Sequence, residues 1–251
     1  MTTTHDTVTT TTSPLISRTW PVPQGLRVRG TVVVLGGRGE TPDVYNRFGN
    51  RISIDAYAVV AFADAFGNEG DVADEIRSRI ASAELTAPIV VVGSDVGAVS
   101  AVDVAKELGS EIAAVIVAAY PTAGASFVAA DWQEELLERT TCPVHRGVLD
   151  ADAGVEHGSF AEALDADLVA RDLSTLTVPV VAIHGGADLV SPLDDALATY
   201  RSNPDAQIWV IEGAKHDVLN DSTHRTTAAV VVQFLEAVRS GATESIARRV
   251  Q

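Results

Sequence analysis

The sequence predicts a doubly wound, mostly parallel α/β domain with an inserted, partly helical lid, and three observations carry that expectation. Short β-branched runs that are apolar along their whole length recur through the chain, as strands buried on both faces require. Stretches with helical spacing fall between them. The 251 residues, 46% hydrophobic and 21% charged, suffice for a sizeable core. The right-handed crossover rule then places helices on both faces of one sheet.

The elements follow in order. Residues 1–13 are threonine-rich and read as a disordered tail, without the basic start and apolar centre of a secretory signal. The domain spans 14–251. Thr31–Leu35 is a β-branched run that ends in Gly36-Gly37-Arg38-Gly39. Tyr57–Phe62 is a second strand, with a helix through Asp74–Ile80. Pro88–Val92 is the third, followed by helical spacing over Ala98–Leu108. Ile112–Ala119, Val178–Ile183 and Gln207–Ile211 complete the strands, and Thr227–Val238 closes the chain as an amphipathic helix. Between residues 121 and 176 the alternation breaks down, with helical stretches expected at Asp131–Leu137 and Phe160–Leu164. An insertion of that length is expected to form a lid at the carboxyl ends of the strands, where ligands bind in such sheets.

Composition narrows the function. A formal charge of -16 argues against nucleic acid, whose phosphates would be repelled. No run is long and apolar enough to span a membrane. The single cysteine, Cys142, forms no internal disulfide and suits a reducing cytoplasm, so a cytoplasmic location is expected. No His/Cys cluster has metal-ligand spacing, and neither a metal nor another cofactor is expected. The oligomeric state is not legible.

The chemistry is carried by three segments. Val90-Val91-Val92-Gly93-Ser94-Asp95-Val96-Gly97-Ala98 is a strand running into a Gly-x-Asp-x-Gly turn, the spacing of a nucleophile elbow. After Val180–Ile183, the loop His184-Gly185-Gly186-Ala187-Asp188 offers an acid. After Trp209–Ile211, the loop Glu212-Gly213-Ala214-Lys215-His216 offers a histidine. Nucleophile, acid, histidine is the chain order of α/β-hydrolases, which the sequence resembles from residue 14 onward.

Within that superfamily, Gly36–Tyr45 resembles the oxyanion loop of monoacylglycerol lipases and related lysophospholipases. The resemblance implies an oxyanion hole from the backbone N–H groups of Arg38 and Val96, with Gly37 beside it. Aspartate at the elbow instead resembles haloalkane dehalogenases and epoxide hydrolases. The former place a tryptophan directly after the aspartate, where this chain has Val96, and the latter protonate the opening oxygen with lid tyrosines. The insert has no tyrosine; Tyr120 stands at its hinge, with His145 and His157 as weaker stand-ins.

A carboxylate needs no base to attack, because aspartate with its reference pKa of about 3.9 is already ionised. Attack on an sp³ carbon gives an alkyl ester, whereas attack on a carboxylic ester gives an anhydride and expels a poor alkoxide. An epoxide or a carbon bearing a leaving group is therefore favoured over a simple ester. His216, oriented by Asp188, would then activate water. The expected substrate is a small, partly apolar molecule, with Tyr120, Phe127, Trp132 and His145 as further candidates to line its pocket.

Alternatives stand beside this reading. Asp95 is also a good helix N-cap and Asp188 a good turn residue. The Arg38 side chain is expected to pair with Glu40 or Asp43 at the surface rather than with Asp95. Ser94 packs or caps, His184 is structural, and Cys142 is inert. A non-covalent acid–base enzyme and a ligand-binding protein on the same scaffold remain open.

Overall fold

Strand patterning sets the layers. In the computed structural model, which describes residues 15–123, 127, 129–161, 163–242 and 246–247, seven strands form one sheet. They are β1 (Ser17–Trp20), β2 (Gly30–Leu35), β3 (Tyr57–Phe62), β4 (Ile89–Ser94), β5 (Ala114–Ala118), β6 (Val180–Gly185) and β7 (Gln207–Ile211), in the spatial order β1-β3-β2-β4-β5-β6-β7. Every neighbouring pair is parallel except β1 with β3. The six expected strands are present. The short edge strand β1 is an addition, polar at three of its four residues and paired along one side only. The expected tail, 1–13, lies outside the described residues.

Because side chains alternate along a strand, β2 feeds two cores. Val32 and Val34 face α1 (Asn46–Ile54) and α8 (His224–Ser240), packing with Phe48, Ile52, Val231 and Phe234. Val33 and Leu35 face the other side with Val72 and Ile76 of α2 (Glu69–Ala81), Val99 and Val102 of α3 (Val96–Leu108) and Tyr200 of α7 (Leu193–Arg201). These strand side chains are fully buried, each stabilising the fold by roughly 1.5–3 kcal/mol relative to exposure.

The strand order fixes where a ligand can sit. From β2 the chain moves outward to β3, then returns to β4 on the opposite side of β2. The order therefore reverses between β2 and β4, and a crevice opens at their carboxyl ends. Leu35 and Gly93 are register partners there, so the loops leaving the two strands start side by side.

Between β5 and β6 lie α4 (Trp132–Arg139), α5 (Pro143–Ala151) and α6 (Ala166–Val169). Asp131 caps α4 by accepting the Glu134 N–H at 2.9 Å. Of the expected helix over Phe160–Leu164, the described residues 160, 161, 163 and 164 are not helical. Residues 157–160 form a turn around Gly158, whose φ of +84° breaks helical continuity. The next helix starts only at Ala166, behind the Asp165 cap. Phe160 is instead drawn inward and is 1% exposed.

Candidate active site

Two glycines make the elbow possible. A Cβ on Gly93 would lie 2.0 Å from the Gly97 carbonyl oxygen, and one on Gly97 would lie 2.2 Å from the Leu35 carbonyl oxygen. No other residue fits either place, which gives the Gly-x-Asp-x-Gly spacing its physical basis. Asp95 sits between them at φ +52°, ψ −127°, a sparsely populated conformation costing about 1–3 kcal/mol. Its N–H donates to the Ala118 carbonyl at 3.1 Å and its carbonyl accepts the Ala98 N–H at 2.8 Å. The side chain makes no capping bond to α3, so the N-cap alternative is not realised.

The three expected residues converge. His216 Nδ1 lies 2.9 Å from Asp188 Oδ2. On the other side of the ring, Nε2 lies 3.3 Å from Asp95 Oδ1, an ion-pair contact without an aligned hydrogen bond. Asp188 is held in turn by the N–H groups of Val190 and Ser191, both 2.9 Å from Oδ1. All three side chains are buried. Burial alone would favour neutral His216, but the charge and hydrogen bond of Asp188, with Asp95 behind them, push its pKa up to about 10. Burial would likewise raise Asp95, yet the Arg38 charge and the contact with His216 outweigh it and hold the carboxyl well below the usual carboxylate range.

Arg38 overturns an expectation. Its side chain forms no surface pair: Nε lies 2.8 Å from Asp95 Oδ2, and Nη2 lies 3.1 Å from Oδ1. Glu40 and Asp43 are engaged elsewhere. Asp43 pairs with Arg18, while buried Glu40 accepts from the Gly37 N–H at 2.9 Å and from the Tyr45 hydroxyl. The partly buried guanidinium gains more from a desolvated carboxylate in a fork geometry than from a solvated one. The Arg38 backbone N–H also donates to Asp95 Oδ2, at 3.0 Å. Val96 is the first residue of α3, so its N–H has no carbonyl one turn earlier to bond. Gly37 packs against the elbow, where an added Cβ would lie 3.0 Å from that of Asp95.

A second layer was not foreseen. Arg139, 1% exposed, holds Glu135 at 2.9 Å and Glu40 at 3.4 Å, and donates to the Arg38 carbonyl at 3.1 Å and to the Ser159 hydroxyl at 2.6 Å. Burial and the nearby Asp217 raise the Glu40 pKa despite Arg139, Tyr45 and Gly37. Between Arg38 and Arg139 lies the ring of Phe160, 4.4 and 4.0 Å from the two guanidinium carbons and edge-on to His216 at 5.2 Å. Only the i,i+4 spacing of Glu135 and Arg139 hinted at this layer in the sequence.

Of the other candidates, Tyr120, Trp132 and His145 make their contacts away from Asp95, Asp188 and His216. Tyr120 Oη donates to the Val169 carbonyl at 2.7 Å, pinning α6. Trp132 stacks on His157 at 3.9 Å and donates to Asp150. His145 is buried against Asp217, at 3.1 Å. His184 spans Tyr200 and the Ser191 carbonyl, 2.7 Å each, and its Nε2 also lies 3.4 Å from Asp188 Oδ2. Phe127 does reach the site's edge. With Arg38, Thr122, Leu164, Val190 and Ser191 it lines a small pocket, and the Thr122 and Ser191 hydroxyls are buried without partners. A larger open cleft of about 620 Å³ lies on the other side of Arg38, bordered by Gly37, Val96, Phe66 and Ser159. Among the described residues no group of His, Cys, Asp or Glu is arranged to hold a metal, and no helix is long and apolar enough to cross a membrane.

No family model matches the sequence, and no curated protein matches it. Solved structures do match. A soluble variant of monoglyceride lipase from Saccharomyces cerevisiae, in complex with a substrate analog, superposes with a TM-score of 0.71 at 19% identity, covering 88% of this chain and 91% of that one. Monoacylglycerol lipase from Paleococcus ferrophilus gives 0.69 at 16% identity, covering 90% and 100%. A thermophilic esterase from Thermogutta terrifontis gives 0.64 at 19% identity, covering 90% and 94%. At these identities the likeness is one of fold, and it agrees with the strand order and the elbow: the chain has the α/β-hydrolase fold.

Proposed function

We propose that the protein is a hydrolase that uses Asp95 as a nucleophile and passes through a covalent alkyl ester. The observation that carries this reading is a buried carboxylate at the elbow, flanked by His216 Nε2 at 3.3 Å and by the Arg38 N–H at 3.0 Å. An Asp95 oxygen attacks an sp³ carbon, the carbon–leaving-group bond breaks, and the ester forms. Alkylation removes one of the two carboxylates that keep His216 protonated, and the imidazolium gives up its Nε2 proton to the departing group or to solvent. Once neutral, His216 takes a proton from water, and the hydroxide adds to Cγ of Asp95. The resulting oxyanion belongs to the enzyme. The N–H groups of Arg38 and Val96 would stabilise it, a contribution on the order of 3 kcal/mol per donor. Collapse releases the alcohol and regenerates the carboxylate, which then carries one oxygen from water.

The substrate is proposed to be small and partly apolar, entering from the cleft beside Arg38 and Val96 once the segment around Phe160, acting as a lid, has moved. Low-identity likeness to lipases and an esterase supports hydrolysis on this scaffold, while the chemistry of an aspartate nucleophile disfavours simple esters. The Arg38 fork favours a second reading. By lowering the reactivity of Asp95 it suits a non-covalent enzyme in which Asp95 and His216 act as an acid–base pair.

Intact-mass spectrometry of the His216→Gln protein, incubated with primary alkyl bromides and epoxides, tests the first reading. An added alkyl mass mapped to Asp95 is the expected result. Substrate turnover by the wild type in ¹⁸O-water without label entering Asp95 would replace it with the second.

A further inference from the structure

We propose that Arg139 of helix α4 is a positioning residue for the second chemical step: it fixes the direction of the Arg38 N–H that receives the oxyanion on Asp95. This inference rests on the covalent reading above and adds a residue to it.

The first support is the softness of the loop that carries this amide. Gly36-Gly37-Arg38-Gly39 has glycine at three of its four places, so local propensity does not set the orientation of its peptide groups. Outside contacts set it instead. The Gly37 N–H donates to Glu40 Oε2 at 2.9 Å, and the Gly37 carbonyl accepts the Glu40 N–H at 3.3 Å. Beyond the amide, the Arg38 carbonyl accepts from Arg139 Nη2 at 3.1 Å and lies 3.3 Å from the Ser159 hydroxyl. The Gly39 carbonyl accepts the Glu156 N–H at 2.8 Å. The peptide that bears the Arg38 N–H is thus held from both ends. Arg139 reaches both, since its Nη1 lies 3.4 Å from Glu40 Oε1.

The second support is that Arg139 does more than an ion pair requires. Its Nε and Nη2 hold Glu135, one turn earlier on the same helix, at 3.1 and 2.9 Å. That pair already balances the charge. The rest of the fork is spent on the oxyanion loop, including a neutral carbonyl. The main chain of Arg139 is tied to the histidine loop as well: its carbonyl accepts the Asp217 N–H at 2.8 Å, directly after His216. One residue, 1% exposed, therefore sets the spacing between the oxyanion amide and the histidine. A planar guanidinium presents its five donors in a fixed geometry, so one contact cannot shift without the others.

The third support is the oxygen that the amide addresses. The Arg38 N–H lies 3.0 Å from Asp95 Oδ2, whereas Oδ1 lies 3.3 Å from His216 Nε2. Once Oδ1 is bonded to the alkyl carbon, Oδ2 is the carbonyl oxygen of the ester. Neutral His216 takes a proton from water, hydroxide adds to Cγ, and the carbonyl π pair moves onto Oδ2. The carbonyl then re-forms and the Cγ–Oδ1 bond breaks. The alcohol leaves with Oδ1 and the proton held by His216, and the carboxyl proton left behind returns His216 to its charged state. Alkylation places no new charge on Oδ2, so a donor there gives the first step nothing. Hydrolysis places a full charge on it and draws on the N–H directly. A clamp on the Arg38 peptide therefore acts on hydrolysis and not on alkylation.

The test follows single turnovers of 1-bromohexane by quenched flow and intact-mass spectrometry, in the wild type, Arg139→Lys and His216→Gln. The readings are the rates at which a hexyl mass appears on Asp95 and then leaves it. Arg139→Lys keeps a cation among Glu135, Glu40 and Asp217, but its nitrogen stands at the place of Cζ, one bond short of the Arg38 carbonyl. Labelling of this variant is expected not to slow, while loss of the label slows on the order of 10²-fold, the cost of a small misplacement remote from the chemistry. A role in stability alone would slow both steps together or neither, and either result overturns the inference while labelled His216→Gln keeps Asp95 as the nucleophile. No hexyl mass on any of the three proteins removes the covalent reading, and this inference with it. Should Arg139→Lys fail to fold, Ser159→Ala decides, because it deletes the hydroxyl that braces Nη2 at 2.6 Å. Slower loss of label with unslowed labelling supports the clamp, and loss at the wild-type rate overturns it.

Discussion

Arg38 meets Asp95 three times: its backbone N–H lies 3.0 Å from Oδ2, its Nε 2.8 Å from the same oxygen, and its Nη2 3.1 Å from Oδ1. One residue therefore supplies both the amide that would receive an oxyanion and the cation that restrains the carboxylate. Arg38→Met keeps the amide and removes the cation. Burial then raises the Asp95 pKa unopposed by its largest charge partner. The acid limb of Asp95 alkylation is expected to move from below the usual carboxylate range into or above it, read from the pH dependence of labelling by a primary bromide.

Stability should carry the signature of His216. Folding raises its pKa from 6.5 to about 10, because Asp188 and Asp95 outweigh burial. A group raised in the folded state stabilises fully below its unfolded pKa and loses that contribution as pH climbs through the folded value. The gap in thermal midpoint between the wild type and His216→Gln is expected to be widest below pH 6.5 and to narrow steadily toward pH 10. A gap that widens over that interval would contradict the assignment.

Phe160 closes the triad from above. Removing its ring in Phe160→Ala deletes a fully buried aromatic and the two cation–π contacts. The loss is expected to cost about 3–5 kcal/mol, measured by denaturant unfolding. The same change admits water to His216, so its pKa falls and the narrowing described for the wild type begins at lower pH.

Arg139 is the cation of the second layer, buried among Glu135, Glu40 and Asp217. Arg139→Met strands those carboxylates and is expected to destabilise by about 3–5 kcal/mol. The double variant Arg139→Met/Glu135→Gln, which also removes the closest charge left behind, should recover a clear part of that loss in the same unfolding measurement. Additive losses would mean that the pair is not coupled.

Local signals carried much of the fold and the meeting of Asp95, Asp188 and His216. Gly93 and Gly97 are dictated by backbone approach within one turn, and Asp188 and His216 each follow directly on a strand, so their places could be read from the sequence. What escaped was set by partners far away in the chain. The side chain of Arg38 chose Asp95, 57 positions on, over two nearer carboxylates. Arg139 reaches Glu40 across 99 positions. Phe160 has helical spacing in the sequence, but it ends a turn around Gly158 and its ring is buried between two guanidinium groups. The edge strand β1 (sequence Ser-Arg-Thr-Trp) is too short and too polar to stand out, and α1 carries Gly49 and two asparagines in nine residues. In both, tertiary contacts supply what propensity does not.

The shared duty of Arg38 also sets how this scaffold could be re-engineered. Exchanging Asp95 for serine would install the common elbow nucleophile but leave the Arg38 guanidinium without its Asp95 counter-ion beside the imidazole. That cation would suppress the protonation His216 needs when it draws the serine proton. Installing a serine nucleophile on this scaffold thus demands a coordinated double exchange, at 95 and at 38.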